Sequence, residues 1–273
     1  MKAFVVPNFE KQDTGLILET LVAKADRYGI ELCCASKQDG LSIPEQRLTG
    51  CDIIISIGGD GTIMHCARLG ALAGKPVMGI NAGKLGFLAQ VEPARLEESL
   101  HRLSVGDYTV ECRSAISASF TDADYPPIEF AINDIVITKS PDYNIAEFEM
   151  LCNDKLIDRY RADGLIFSTA TGSTAYNLSA GGPIIDPLLK TITMVPICPH
   201  SISIRPLVFA QNRTITVHSG QTPLTVMADG NQRRSIRAGT TIQIDTSLME
   251  ARFITFHREE FFEILTTKIK QRG

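Results

Sequence analysis

A carboxylate inside a glycine-rich turn is an unusual place to keep negative charge. Residues 53–65 read IIISIGGDGTIMH, so a β-branched apolar run leads directly into Gly58-Gly59-Asp60-Gly61-Thr62. A strand ending near Ile57 and a helix starting near Thr62 would place this turn at the carboxyl edge of a parallel sheet, where open α/β sheets bind ligands. Glycines let a backbone approach a phosphate closely, and the first helical N–H groups supply oriented donors. The pattern is neither a Walker A loop, since no Gly-Lys-Ser/Thr follows, nor a G-x-G-x-x-G fingerprint. Two roles are open for Asp60. It could cap the helix, or it could stand beside a transferring phosphate and take the proton of an attacking hydroxyl.

Three further groups could carry chemistry. Residues 168–183 read STATGSTAYNLSAGGP, with hydroxyls at Ser168, Thr169, Thr171, Ser173, Thr174 and Ser179 and one aromatic ring, Tyr176. Such a strand-to-helix turn could hydrogen-bond a polar heterocycle while Tyr176 packs on its face, or Thr171 or Ser173 could simply cap a helix. Asn133-Asp134 interrupts the apolar AINDIVIT. Adjacent strand residues point to opposite faces, so one of the two should meet a buried side or a cleft unless a bulge intervenes. Arg161 and Asp163, in RYRADG, could be a same-face pair on a strand.

The elements that must position these groups change character along the chain. Up to about residue 107, strand-like runs at 2–6, 31–35, 52–57 and 76–80 alternate with helical spacing at 12–28, 62–72 and 92–103. This alternation implies a mostly parallel sheet covered by helices. From residue 108 short strand-like stretches dominate, at 129–138, 147–152, 164–169, 214–218, 241–245 and 252–256, punctuated by Pro, Gly, Asn and Asp. That is the texture of an all-β, sandwich-like domain. Helical spacing returns from 257 through Phe261, Leu265 and Ile269, as expected of a helix packing back on the first domain. The expected division is therefore an α/β domain over 1–107, joined by 257–273, and a β-rich domain over 108–256. At 273 residues the chain is long for one core.

Composition narrows the class. The 44% hydrophobic and 21% charged residues suit a globular enzyme. A balance of 27 basic against 31 acidic residues argues against a nucleic-acid partner. It leaves anionic ligands open, because a local nest of backbone N–H groups can hold phosphate on an acidic protein. No apolar run approaches the ~20 residues of a membrane helix, and the apolar patch in MKAFVVPNFEKQD is too short for a signal peptide. The expectation is a cytoplasmic protein without a membrane partner. The 7 cysteines form no C-x-x-C pair and read as buried free thiols. The 5 histidines include no H-E-x-x-H. Cys198-Pro199-His200 offers two ligands, too few for a zinc site, and no protein metal site is expected.

Taken in order along the chain, GGDGT, the Asn133-Asp134 pair, Asp163-Gly164 followed by STATGSTAYNLSAGGP, and Asp229-Gly230 resemble the NAD kinase family over roughly residues 50–235. GGDGT is shared with diacylglycerol and sphingosine kinases and is similar to the GGDG of phosphofructokinases, but those relatives lack TGSTAYNLSAGG. The resemblance implies transfer of phosphate from ATP to NAD, giving NADP, with Mg²⁺ or another divalent cation accompanying ATP. It makes Asp60 the proton acceptor for the adenosine ribose 2′-hydroxyl, with Gly61 close to the same nucleotide and Gly58, Gly59 and Thr62 forming the phosphate loop. Asn133 and Asp134 would hold the adenosine moiety and its ribose hydroxyls. Asp163 would meet the other nucleotide end, and Ser168, Thr171, Thr174, Ala175, Tyr176, Asn177 and Ser179 would form the dinucleotide pocket.

His65, Arg161 and Asn231 match further binding positions of the family, as does Phe87 within GKLGFL at 83–88. Lys84 in that segment could reach phosphate or be a solvated turn lysine. Asp134 departs from the Glu that the family often carries there; either carboxylate can accept two ribose hydroxyls. The family also implies a homodimer or homotetramer, and a site lying between the two domains. Two other classes compete: a lipid kinase sharing GGDGT, for which only the modest LTTKIKQR tail could face a membrane, and a dinucleotide sensor without turnover, which would have no use for Asp60.

Overall fold

The structure, a computed structural model, describes residues 1–40, 43–83, 86–88, 91–201, 203–256 and 260–270. Lys84, the expected start of the last helix at 257, and the end of the LTTKIKQR tail lie outside the described residues. The chain forms two compact units, Met1–Cys112 with Ala251–Gly273, and Arg113–Glu250.

In the first unit β1 (Lys2–Pro7), α1 (Thr14–Ala25), β2 (Glu31–Cys34), β3 (Ile53–Gly58), α2 (Asp60–Ala73), β4 (Val77–Asn81) and α3 (Leu96–Ser104) follow in order. The strands β2, β1, β3 and β4 pair in that order, all parallel. Because side chains alternate across a strand, the sheet buries two different faces. Ala3, Val5, Ile53, Ile55 and Ile57 pack with Ile17 and Leu21 of α1 and Leu96 and Leu100 of α3. Phe4, Val6 and Ile54 pack on the other face with Cys66 of α2. Burial on both faces explains the unbroken apolar runs, as expected of parallel strands.

A long strand, β5 (Thr109–Phe120), leads into the second unit. There β6 (Ile128–Ala131), β7 (Asp134–Lys139), β8 (Ala146–Cys152), β9 (Lys155–Ala162), β10 (Gly164–Thr169), α4 (Tyr176–Ser179), β11 (Thr191–Ile197), β12 (Leu207–Ala210), β13 (Ile215–Ser219), β14 (Leu224–Ala228) and β15 (Gln232–Ile236) follow, and β16 (Thr241–Thr255) leads out. One antiparallel sheet runs β12-β11-β10-β7-β14-β15. The pairs β9-β8, β8-β13 and β13-β16 belong to the other sheet and are antiparallel too. Phe167, Leu165 and Met194 of the first sheet interleave with Phe148, Met150 and Val217 of the second in one apolar core, the sandwich expected for this half.

Three boundaries differ from those read in the sequence. The run expected over 129–138 is two strands, because at Ile132-Asn133 the backbone passes from one sheet, where β6 pairs β5, to the other, where β7 pairs β10. The runs at 241–245 and 252–256 are one strand, β16; Ser247 interrupts its regularity by donating its hydroxyl to the Glu129 carbonyl (2.8 Å) and accepting the Met249 N–H (3.0 Å). The units divide at 112/113 and 250/251 rather than 107/108 and 256/257, since β5 and β16 each serve both. Finally α5 (Glu260–Lys270) belongs to the first unit, where the Phe261 ring stands 6.0 Å from that of Phe87.

Phe148 is among the largest fully buried side chains of the sandwich. Phe148→Ala is expected to cost ~3–5 kcal/mol, visible as a lower urea midpoint for the transition of the second unit. A midpoint within error of wild type would show that this core is not what holds the sheets together.

Candidate active site

The candidate residues gather in two clusters, one in each unit. In the first, β3 ends at Gly58 and α2 begins at Asp60, with Gly59 extended between them. Asp60 is the first helical residue rather than the cap, and no side chain caps this helix. Its carboxylate is turned to the loop beyond β4: one oxygen accepts the Phe87 N–H (2.9 Å) and the other the Leu88 N–H (3.0 Å). Gly86 comes so close that a Cβ on it would stand 1.9 Å from Asp60 Oδ1. Asp60 therefore holds Gly86, Phe87 and Leu88 against the glycine turn. A carboxylate has about four lone-pair sites, so lone pairs remain for a hydroxyl. Thr62 accepts the Asn8 side-chain amide at 2.9 Å and is buried, which anchors the turn rather than exposing its hydroxyl. Gly61 is exposed and His65 half-buried one turn further along α2.

The second cluster centres on the break between β6 and β7. The Asn133 carbonyl accepts the Thr169 N–H at 2.9 Å, and Thr169 Oγ1 donates to the Ile132 carbonyl at 2.6 Å. A Cβ on Gly172 would stand 2.0 Å from the Asn133 oxygen, so only glycine permits this approach. The hydroxyl segment is thus stapled to the Asn133-Asp134 step. From the other side, the Asp229 carboxylate accepts the N–H groups of Ile132 (2.9 Å), Asn133 (2.7 Å) and Asp134 (3.3 Å). Asp134 is 6% exposed. Burial, and secondly the Asp229 charge, push its carboxyl up to about 7.

The segment divides its polar groups between framework and surface. Ser168 is buried and donates to the Thr169 carbonyl (2.9 Å). Ser173 donates to the Ile185 carbonyl (3.3 Å) and accepts the Ile185 N–H (3.0 Å). Asn177, fully buried, donates to the carbonyls of Ser173 and Pro183, both at 3.0 Å. Thr171 is buried, and its carbonyl accepts the Thr174 hydroxyl at 3.4 Å. Tyr176 and Ser179 are exposed, and Thr174 and Ala175 half-buried. These four, with Asn133, present atoms that a ligand can reach; Ser168 and Asn177 shape the segment from beneath.

Arg161 and Asp163 are not a pair. Arg161 extends from β9 to Glu147 on β8 (3.3 Å), opposite it in register. Asp163 faces Lys139 (3.7 Å), and its carbonyl accepts the Lys139 N–H (3.0 Å). Asn231 is exposed at the turn that Asp229 begins, its N–H donating to Ala228 (3.0 Å). Among the described residues no group of three His, Cys, Asp or Glu is placed to hold a metal ion. All seven cysteines are free, as expected, but only Cys51 and Cys66 are buried, and Cys112 and Cys198 are exposed. Burial pushes the Cys66 thiol up to about 12.

Sequence reasoning gave no role to Asp229, Gly86 or the Gly172 contact. An Asp-Gly step after an apolar strand was the available signal for Asp229: it stands at φ 47°, a left-handed conformation that Asp tolerates.

Comparison with known proteins matches both parts of the chain. Residues 16–108 match the ATP-NAD kinase N-terminal domain, and residues 132–256 the ATP-NAD kinase C-terminal domain. The NAD kinase of Heliobacterium modesticaldum is 40% identical over 228 residues, 82% of this chain and 81% of that protein. The NAD kinase of Moorella thermoacetica is 34% identical over 271 residues, covering 98% and 84%. An NAD kinase from Archaeoglobus fulgidus, solved in complex with ATP, superposes with a TM-score of 0.79 at 28% identity over 100% of both chains. Yeast NADH kinase complexed with NADH shares the fold, with a TM-score of 0.83 at 20% identity over 97% of this chain and 86% of that one. The chain belongs to the NAD kinase family.

The Asp134 environment fixes a pH dependence of stability. A carboxyl whose native value of about 7 lies above its unfolded value of ~3.9 binds more protons folded than unfolded. Its contribution is thus fully present below pH ~4 and is lost as pH rises through about 7. Asp134→Asn removes the buried charge. The variant should melt higher than wild type at pH ~8, by roughly 2–4 °C per kcal/mol recovered, with the gap closing toward pH ~4. A melting difference independent of pH would overturn the assignment.

Proposed function

We infer that the protein is an NAD kinase, transferring the γ-phosphoryl group of MgATP to the 2′-hydroxyl of the adenosine ribose of NAD to give NADP and ADP. The observation that carries this is the Asn133-Asp134 step, a half-buried amide beside a buried carboxyl, stapled to the segment that displays Tyr176 and Ser179. An amide and a carboxyl side by side suit the vicinal hydroxyls and base of a nucleoside, while the Tyr176 ring, 43% exposed, can stack on a heterocycle.

In this reading Asn133 and Asp134 hold the adenosine ribose, and Asp60 takes the proton of the 2′-hydroxyl through the lone pairs its two backbone contacts leave unused. Gly58, Gly59, Gly61 and the first N–H groups of α2 lie toward phosphate, near Phe87 and His65. Thr174, Ala175, Tyr176 and Ser179 line the dinucleotide, and Asp163 and Arg161 meet its far end. Mg²⁺ enters with the donor, held chiefly by the phosphate oxygens, as this ion prefers. It neutralises charge while the protein contributes position. The lipid-kinase alternative is not favoured, because the half that would have to differ matches the ATP-NAD kinase C-terminal domain.

We also propose a cytoplasmic homodimer or homotetramer. Unpaired thiols suit a reducing compartment. The edge strand β9 exposes Leu156 and Ile157, a surface that a second copy could cover. Sedimentation of the purified protein as a monomer alone would remove the oligomer from this reading.

Incubation with NAD, ATP and Mg²⁺ should yield NADP, and 2′-deoxy-NAD should bind without accepting phosphate. Asp60→Asn should keep NAD binding and lose ~10²–10⁴-fold in kcat; near-normal turnover would leave Asp60 with only its hold on the Phe87 loop. Tyr176→Ala should raise KM for NAD with a smaller fall in kcat, the mark of lost uniform binding. An unchanged KM would deny the ring its place against the ligand.

A further inference from the structure

Asp229 is used by none of the steps above, yet it is bonded to the centre of the nucleoside cluster. At Ile132-Asn133 the chain passes from β6, paired with β5 in one sheet, to β7, paired with β10 and β14 in the other. A backbone that leaves a ladder must find other partners for its N–H groups. One carboxylate supplies them: Asp229 Oδ2 accepts from Ile132 (2.9 Å), and Oδ1 from Asn133 (2.7 Å) and Asp134 (3.3 Å). The Asp229 N–H returns the contact to the Asp134 carbonyl at 3.0 Å. Three donors on two oxygens suit a group that only accepts, the ionised carboxylate.

The geometry points to Asp229 as a positioning residue of the nucleoside subsite: its carboxylate fixes the Asn133-Asp134 backbone so that both side chains meet one ribose, and it sets a negative charge beside the Asp134 carboxyl. This rests on the kinase reading above. Burial acts first on the Asp134 carboxyl and the Asp229 charge second. Across β10 the residue in register is Ser168, a neutral hydroxyl turned to the Thr169 carbonyl. Across β14 the register places Ala228 beside Ile135, so the next residue along, Asp229, brings the charge that acts on Asp134. Near neutral pH Asp134 is then poised between two forms. The acid offers one donor and one acceptor to a pair of hydroxyls, whereas the carboxylate can only accept. Binding of the ribose should therefore depend on pH, and the dependence should belong to the Asp134–Asp229 pair.

The test is NAD binding by calorimetry from pH ~5 to ~9, which needs no turnover, on wild type, Asp229→Asn and Asp134→Asn. Asparagine keeps the size of the side chain and tolerates the left-handed backbone at this position. Wild-type Kd should change with a midpoint near neutrality, and Asp134→Asn should abolish that change. Asp229→Asn should weaken binding about tenfold or more and move the midpoint to lower pH, because the repelling charge is gone. A folded Asp229→Asn protein with wild-type Kd and an unmoved midpoint would overturn the proposal. Should that variant fail to fold, the other two decide: a flat wild-type profile, or one that Asp134→Asn leaves intact, overturns it equally. Wild type that binds NAD while the variants behave so condemns this proposal alone; wild type that binds no NAD at any pH removes the kinase reading and this proposal with it.

Discussion

The Asn133 carbonyl is the point on which the second unit's chemistry depends. It accepts the Thr169 N–H at 2.9 Å, and Gly172 lies against it closely enough to exclude any side chain. The Thr169 bond continues the β10–β7 register one pair beyond Ser168 and Asp134, and on the far side of Asn133 the chain belongs to β6, in the other sheet. The passage between sheets orphans N–H groups that a buried backbone cannot leave unmet. The Asp229 turn and the Thr169 hydroxyl exist, in physical terms, to meet the demands of that one passage.

Three aspartates illustrate how environment separates like groups. Asp60 is half-buried with a backbone N–H on each oxygen, so its orientation is set while lone pairs stay open. Asp229 spends its oxygens on three backbone N–H donors at the passage between β6 and β7. Asp134 is buried beside that charge without such compensation, and burial is the larger cause of its raised value. Desolvation disfavours the charged form, and hydrogen bonds to the charged form favour it. The same carboxyl thus serves as an oriented acceptor, a structural anion or a titrating group according to how many donors face it.

The parallel sheet of the first unit was legible because both its faces are buried: apolar runs such as Ala3–Val6 and Ile53–Ile57 leave no other reading. The sandwich was legible in texture, less so in its elements. Strand β9 escaped notice because Lys155, Asp158 and Arg159 give it the polarity of a loop, and its exposed edge position explains why such residues are tolerated. Strands β14 and β15 lie near polar segments that hide their register. Long-range partners were beyond reach altogether. Nothing local to Asp229 reveals that its acceptors serve residues nearly a hundred positions earlier, and nothing in GKLGFL reveals that Gly86 must make room for Asp60.

The hydroxyl segment carries a further lesson about motifs. Its density of Ser and Thr suggested a ligand surrounded by hydroxyls, yet Ser168, Thr169 and Ser173 spend theirs on backbone groups within the protein. A turn that must pack Gly172 on a carbonyl and bury Asn177 beneath it leaves many main-chain groups without ladder partners. Short hydroxyl side chains are the residues able to satisfy those groups in little space. Replacing any of them by an apolar residue would strand a buried donor or acceptor, at a cost of ~1–3 kcal/mol. Thr174, Ala175, Tyr176 and Ser179 are the part of the motif left partly or fully exposed by this packing.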